Sequence, residues 1–258
     1  MEQRSARILV TNDDGIASPG LQTLARRLSA LGEVTIVAPE AEQSAVGHSI
    51  TTRLPLRMTP VTLGGLGDSY SVGGTPADCV KLALGTVMRD RWPELVVSGV
   101  NLGPNTATNV IYSGTVSAAT EARILGVPSF AISLGTYREP RWAVAADIGV
   151  EVARQVLHHG LPPRVLLNVN VPNLPATEVR GVRFTRQGES VYLEDFVERK
   201  DPRGLPYYWL AGSFEMRDTD EETDAWALEH GYVSITPITF DLTSEGTRAE
   251  LASSGWGD

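Results

Sequence analysis

Two adjacent carboxylates, Asp13 and Asp14, stand where the first apolar run of the chain stops. Like charges this close disfavour each other's ionisation unless a cation lies between them, and no basic residue stands among their immediate neighbours. Oxygen ligands of this kind suit magnesium, manganese or calcium. The pair therefore predicts a divalent-cation site. The alternative is a solvated turn, since an Asp-Asp-Gly stretch commonly forms one.

The elements around this pair place it at a sheet edge. Residues 7–11 are apolar and rich in β-branched types, which predicts a short buried strand. Ser18 followed by Pro19 is typical of a helix start. A second strand is predicted at residues 34–39, so the three elements form a βαβ unit with parallel strands. The acid pair then lies at a strand's carboxyl end, the usual ligand crevice of an open α/β sheet.

A second polar stretch follows the strand predicted at residues 95–99. This loop is long, free of charge and contains three asparagines, Asn101, Asn105 and Asn109. Its position puts Asn101 at the same sheet edge as the acid pair. Asparagine is also a good turn former, so an ordinary turn remains the alternative.

The helix predicted after this loop begins with Ser113, Gly114 and Thr115 and ends near Gly126. Free backbone N–H groups, two hydroxyls and the helix dipole together favour an anion. Gly114 would let the backbone approach that anion closely. The alternative is a capped helix that packs tightly through its alanines.

The loop at residues 40–52 follows the second strand and reaches the same edge with Ser44 and His48. We expect His48 to be an exposed loop histidine. A mixed oxygen set leaves room for water and a substrate oxygen at magnesium or manganese; it comprises Asp13, Asp14, Ser44 and Asn101. An anion cradle would lie beside it, formed by Asn105, Ser113, Gly114 and Thr115. A cation next to a phosphate cradle indicates metal-assisted phosphoester hydrolysis.

Composition limits the other classes. The 258 residues carry a net charge of −9, which argues against a duplex nucleic-acid binder because such proteins need a basic face. Cys79 is the single cysteine, so no internal disulfide forms, and its helical neighbours predict a core position rather than a catalytic one. No apolar run approaches membrane-spanning length and the N-terminus lacks a signal-peptide core. We expect a soluble, cytoplasmic protein without membrane contact.

Alternating strands and helices predict an α/β fold, a three-layer α/β/α sandwich with a largely parallel, Rossmann-like sheet. We expect one domain: a core over residues 1–178, an extended hairpin arm over 179–216, a return to the core over 217–243 and a mobile tail over 244–258. The aromatic arm would pack on another subunit, cover the site as a lid, or pack on its own domain. The acidic run at residues 218–224 is expected to be a solvated helix start.

Five segments, in the right order along nearly the whole chain, resemble the SurE family of survival-protein nucleotidases. These segments are residues 8–15, 98–101, 112–116, 167–172 and 231–237. The resemblance implies a phosphatase that acts on nucleoside 5′- and 3′-monophosphates with one divalent metal, magnesium or manganese, per subunit. It implies metal ligands at Asp13, Asp14, Ser44 and Asn101, phosphate contacts at Asn105, Ser113, Gly114 and Thr115, and a homodimer or homotetramer that exchanges the arm.

The chain departs from the family pattern at four positions. The family usually has glycine at Ala107 and aspartate at Asn109, and often glycine at Ser117 and Ala122. All implied ligands are present, so the departures bear on substrate preference more than on chemistry.

Asp13 or Asp14 is the candidate catalytic group, which would orient or deprotonate the attacking water. Direct attack by a carboxylate remains open. A non-catalytic nucleotide-binding regulatory module of the same fold is the competing function. An aspartyl-phosphate phosphatase of another α/β family is less favoured, because adjacent aspartates lack the Asp-x-Asp spacing.

Overall fold

The computed structural model of the chain describes residues 5–254, and for residues 192 and 214 the backbone only. The described residues form eleven strands and seven helices. The strands are β1 (Ala6–Thr11), β2 (Gly32–Pro39), β3 (Met58–Val61), β4 (Ser69–Val72), β5 (Leu95–Leu102), β6 (Ser129–Leu134), β7 (Val165–Val171), β8 (Val182–Phe184), β9 (Ser190–Lys200), β10 (Pro206–Met216) and β11 (Val233–Thr239). The helices are α1 (Pro19–Leu28), α2 (Pro76–Gly85), α3 (Asn109–Tyr112), α4 (Gly114–Ile124), α5 (Trp142–His159), α6 (Asp224–Glu229) and α7 (Glu245–Ser253).

Nine strands form one sheet in the order β3-β4-β2-β1-β5-β6-β7-β11-β8. The six strands from β4 to β7 run parallel to their neighbours, whereas β3 and β11 are antiparallel to β4 and β7. The carboxyl ends of β2, β1, β5 and β6 therefore meet at one edge of the sheet. The polar loops that follow these strands all begin there.

Helices cover both faces of this sheet, as the predicted three-layer sandwich requires. Helix α1 buries Leu21, Leu24, Ala25 and Leu28, whose spacing puts them on one side of the helix. This side packs with α5 on one face, while α2 and α4 pack on the other. Strand β1 is buried on both faces, which explains its unbroken apolar run.

The arm is a hairpin outside the main sheet. Strands β9 and β10 pair antiparallel over their full length, from Ser190 opposite Met216 to Lys200 opposite Pro206. The predicted turn closes the hairpin, where the Asp201 carboxylate accepts the N–H groups of Arg203 (2.8 Å) and Leu205 (2.9 Å).

The segment from Ser244, expected to be a mobile tail, contains helix α7, whose residues are not buried. Among the described residues, none of the helices is both long and apolar enough to cross a membrane.

Candidate active site

Asp13 is held by the start of helix α4. Its side chain is only 7% exposed, and its carboxylate accepts the Thr115 N–H at 3.0 Å and the Thr115 hydroxyl. Gly114 makes this approach possible, because a Cβ atom there would lie 2.9 Å from the Cβ of Asp13. Two segments 102 residues apart are thereby locked together.

Asp14 reaches the other side of the same edge. Its Oδ2 accepts the Leu102 N–H at 3.2 Å, which places it beside Asn101 at the end of β5. The Asn101 side chain donates its Nδ2 to the Gly103 carbonyl at 2.7 Å. Its Oδ1 has no donor among the described residues, so this amide oxygen stays available to a ligand. Asp14 and the end of β5 that carries Asn101 therefore lie side by side at this edge of the sheet.

The electrostatics of the acid pair favour a bound cation. Burial raises the pKa of Asp13, although the hydrogen bonds from Thr115 act in the opposite direction. Burial, and after it the charge of Asp13, raises the pKa of Asp14 to about 7. A divalent cation between the carboxylates would stabilise both charged forms.

Buried oxygens beside the pair also lack partners. Thr11 Oγ1, Asn12 Oδ1 and Ser98 Oγ are buried without a hydrogen-bond partner in the described part of the chain. Among residues 5–254, no group of three or more His, Cys, Asp or Glu side chains has metal-binding spacing. The donor set that fits a cation here is therefore two carboxylates with neutral oxygens, as magnesium and manganese accept.

Ser44 lies on the loop that crosses above Asp13. The Gln43 N–H donates to the Asp13 carbonyl at 2.8 Å, and the Gly47 N–H donates to the Tyr112 carbonyl at 3.0 Å. Ser44 itself is exposed and its hydroxyl donates to Glu42. Within the described residues, no hydrogen bond joins Ser44 to either aspartate side chain. The structure thus brings its loop to the site without fixing the serine on the carboxylates.

His48 is more engaged than the expected exposed loop histidine. Its Nε2 lies 2.8 Å from Glu121 Oε2 on α4, and the Lys81 Nζ donates to Glu121 Oε1 at 2.8 Å. The Glu121 side chain is only 6% exposed, and the hydrogen bond from His48, followed by the ion pair with Lys81, lowers its pKa. This cluster anchors the Ser44 loop to the helix that holds Asp13.

The predicted phosphate residues at the start of α4 are brought together. Ser113 caps the helix by accepting the Val116 N–H at 3.1 Å. Thr115 directs both its N–H and its hydroxyl at Asp13 rather than into open space. Gly114 and Thr115 therefore lie against Asp13, which takes both hydrogen-bond donors of Thr115.

Asn105 is held by a network of buried hydrogen bonds that was not predicted from the sequence. Its N–H donates to Asn170 Oδ1 at 2.8 Å, and its carbonyl accepts Asn168 Nδ2 at 2.7 Å and Asn170 Nδ2 at 3.1 Å. Its own Nδ2 donates to Ser133 Oγ at 2.9 Å. The two asparagines inside the buried strand β7 could have indicated this network, because buried amide groups need hydrogen-bond partners.

A family model described as survival protein SurE matches residues 8–194 of the chain. The chain belongs to the SurE family. It is 51% identical over 237 residues to the 5′-nucleotidase SurE of Syntrophobacter fumaroxidans, covering 92% of this chain and 94% of that protein. It is 48% identical over 250 residues to the 5′-nucleotidase SurE of Chlorobaculum tepidum, covering 97% of this chain and 94% of the relative.

A solved SurE structure has the same fold. The crystal structure of the SurE protein from Aquifex aeolicus superposes with a TM-score of 0.83 at 41% identity, over 95% of this chain and 98% of that one. The α/β/α prediction and the family resemblance are both confirmed.

The loop at Ala107 is tied to the start of α6 and to the segment before the arm. Ala107 adopts a positive φ of 51°, a conformation that favours glycine. Its N–H donates to Asp224 Oδ2 at 2.9 Å, and its carbonyl accepts Gln187 Nε2 at 2.9 Å. Asp224 is fully buried, which raises its pKa, so the expectation of a wholly solvated acidic run is wrong at this residue.

Proposed function

We propose that this protein is a divalent metal-dependent phosphomonoesterase that hydrolyses nucleoside 5′- and 3′-monophosphates to nucleoside and phosphate. One observation carries the proposal: Asp13 is bound to the N-terminus of α4 while Asp14 is bound at the end of β5, beside Asn101. This juxtaposition puts an acid pair against the N-terminus of a helix, where the partial positive charge favours an anion. The two SurE relatives described above are 5′-nucleotidases by name, which supports the 5′ part of this activity.

Asp13, Asp14, Ser44 and Asn101 would hold one magnesium or manganese ion per subunit. When bound, such an ion neutralises phosphoryl charge and lowers the pKa of a water molecule. The raised pKa of Asp14 and the unpaired buried oxygens of Thr11 and Asn12 support this assignment, because all of them gain from a nearby cation.

The protein's own groups supply positioning and proton transfer. Ser113 and Gly114 orient the phosphoryl group with the partial positive charge of the α4 N-terminus, while Thr115 holds Asp13 beside it. Asn105 borders it from a loop that Ser133, Asn168 and Asn170 hold rigid. One of the two carboxylates, Asp13 or Asp14, orients the attacking water and accepts its proton.

Phosphate release tests this function directly. The full chain is incubated with 5′-AMP or 3′-AMP in manganese, and with a chelator as the metal-free control. We expect metal-dependent release from both, and Asp13→Asn to lower kcat/KM about 100-fold. Asp90→Asn, at an exposed loop residue, is the matched control and should retain full activity. Release that is absent in every metal, or unchanged in Asp13→Asn, would contradict the proposal. A binding-only module predicts nucleotide binding without any release.

The arm supports assembly into a homodimer or homotetramer. It exposes a set of large apolar side chains, and a two-stranded ribbon alone is marginally stable in water. The exposed set comprises Phe196 (58%), Tyr207 (43%), Tyr208 (58%), Trp209 (64%) and Leu210 (58%). Light scattering should report a dimer or tetramer for the wild type and a smaller species for Trp209→Ser with Leu210→Ser. A monomeric wild type would refute this assembly.

A further inference from the structure

A cavity of about 660 Å³ opens next to the loop that carries Asn105. Pro104, Thr106 and Asn109, which flank Asn105 on that loop, line one side of the cavity. Its volume lies in the range of small-molecule sites, about 300–1,000 Å³. A second cavity of about 1270 Å³ lies at the opposite end of the sheet, near Ala6 and Gly32, where β1 and β2 begin. Of these two cavities, the first is the one that adjoins the loop of Asn105.

The far walls of this cavity are largely apolar. Pro172, Leu174, Met216 and Leu228 line it from β7, the arm and α6. Leu228 lies close against Gly135, where an added Cβ would be 3.1 Å from its side chain. A flat apolar ligand with polar edges fits such walls better than a second phosphate would.

Tyr137 lines the cavity and contacts Gly103, two residues after Asn101. Its ring lies directly on Gly103, where an added Cβ would be 2.3 Å from the ring Cε1. Gly103 in turn accepts the Asn101 side chain at 2.7 Å. Tyr137 as a whole residue is 69% exposed, which leaves part of its ring open to a ligand. An exposed aromatic face beside an apolar cavity is a stacking platform for a nucleobase.

We propose that this cavity is the nucleoside subsite and that Tyr137 stacks on the base of the substrate. The inference rests on the proposed nucleotidase function. It adds that contact with the base gives the enzyme its preference for nucleotides over other phosphate monoesters. The phosphoryl group lies at the start of α4, and the base extends past Asn105 into the cavity between Tyr137 and Leu228. Asn109, which stands where the family usually has aspartate, lines the same cavity and presents a neutral amide to the nucleoside.

The test compares two phosphate monoesters with manganese present: AMP, which has a base, and ribose 5-phosphate, which lacks one. Tyr137→Ala should lower kcat/KM for AMP about tenfold, as expected for the loss of one base–aromatic stack. The ratio of kcat/KM for AMP to kcat/KM for ribose 5-phosphate should fall severalfold, because the contact with Gly103 affects both esters but the base is present in AMP alone. Tyr137→Phe should keep the preference for AMP, whereas Tyr137→Leu, which retains apolar bulk on Gly103, should lose it.

Phe184→Ala is the matched control, because it removes another exposed ring, on β8 and outside the cavity lining. Equal losses with both substrates would show that Tyr137 only packs on the loop, and would overturn the inference. Unchanged kinetics with AMP would overturn it as well.

A metal-free readout separates this inference from the proposed function. Adenosine binding to the full chain is measured by calorimetry in the presence of a chelator. We expect binding by the wild type and at least tenfold weaker binding by Tyr137→Ala. A wild type that binds adenosine but hydrolyses neither ester would refute the nucleotidase and leave the subsite standing. A wild type that hydrolyses AMP but shows equal adenosine binding in the variant would refute the subsite alone.

Discussion

The buried Asp224 carboxylate accepts the N–H of Ala107, 117 residues earlier in the chain, at 2.9 Å. It also accepts the N–H of Gly188 at 3.0 Å, just before the arm begins. A single side chain therefore joins the loop that follows Asn105, the base of the arm and helix α6. This contact helps to hold the loop at Ala107 in its observed conformation.

Asp224→Asn should loosen that junction. Only one oxygen would remain to accept the N–H groups of Ala107, Gly188 and Ala225, and at least one buried N–H would face an amide nitrogen. We expect the free energy of unfolding to fall by about 1–3 kcal/mol, and KM for AMP to rise. Urea denaturation and steady-state kinetics measure the two effects. Glu222→Gln is the control, since it removes a charge from the exposed part of the same acidic run. Equal behaviour of the two variants would contradict the role of Asp224.

Glu121→Gln should weaken metal use through the Ser44 loop. The Glu121 carboxylate anchors His48, four residues beyond Ser44. In the variant a neutral amide replaces this charged group. Mutation of a group that orients metal ligands commonly weakens metal binding by about 10–100-fold. We therefore expect the manganese concentration for half-maximal activity to rise about tenfold. Glu151→Gln, exposed on α5, should leave the manganese titration unchanged. An identical titration for Glu121→Gln would show that the anchor is dispensable.

Glu121 also predicts a pH dependence of stability. Hydrogen bonds from His48 and Lys81 lower its pKa in the folded state. Its contribution is therefore complete above the ordinary glutamate pKa of about 4.3 and is lost as the pH falls through the lowered folded value. Unfolding free energies of the wild type and Glu121→Gln should differ at neutral pH and converge in acid. A difference that does not shrink below pH about 4.3 would contradict the charge-based anchor.

Ala107 should tolerate glycine where other buried alanines do not. Its φ of 51° costs an alanine backbone energy that glycine avoids. We expect Ala107→Gly to change the free energy of unfolding by less than about 0.5 kcal/mol, whereas Ala118→Gly, in the buried helix α4, should lower it by about 1 kcal/mol. Thermal unfolding of both variants checks the contrast. Equal destabilisation would mean that the loop is not strained at Ala107.

Cys79 should be unreactive in the folded protein. It is fully buried, and burial raises the pKa of its thiol, so very little thiolate forms. An aromatic disulfide reagent should detect no thiol in native protein and one per chain in concentrated guanidinium. Fast native labelling would instead indicate local opening of α2.

The sequence alone determined the architecture and the family. Apolar β-branched runs separated by amphipathic helices specify a parallel sheet, and parallel strands bring their carboxyl ends to one edge whatever the details of packing. Asp13, Asp14 and Asn101 lie at the ends of such strands, so their position at that edge could be predicted from the residues, and the SurE motifs indicated the family.

Tertiary structure decided the contacts between distant segments. No periodicity in the chain pairs Asp224 with Ala107, His48 with Glu121, or Asn105 with Asn168 and Asn170. Each pair forms because a buried polar group must find a partner once packing has excluded water. Which partner it finds depends on the three-dimensional path of the loops, and only the folded chain specifies that path.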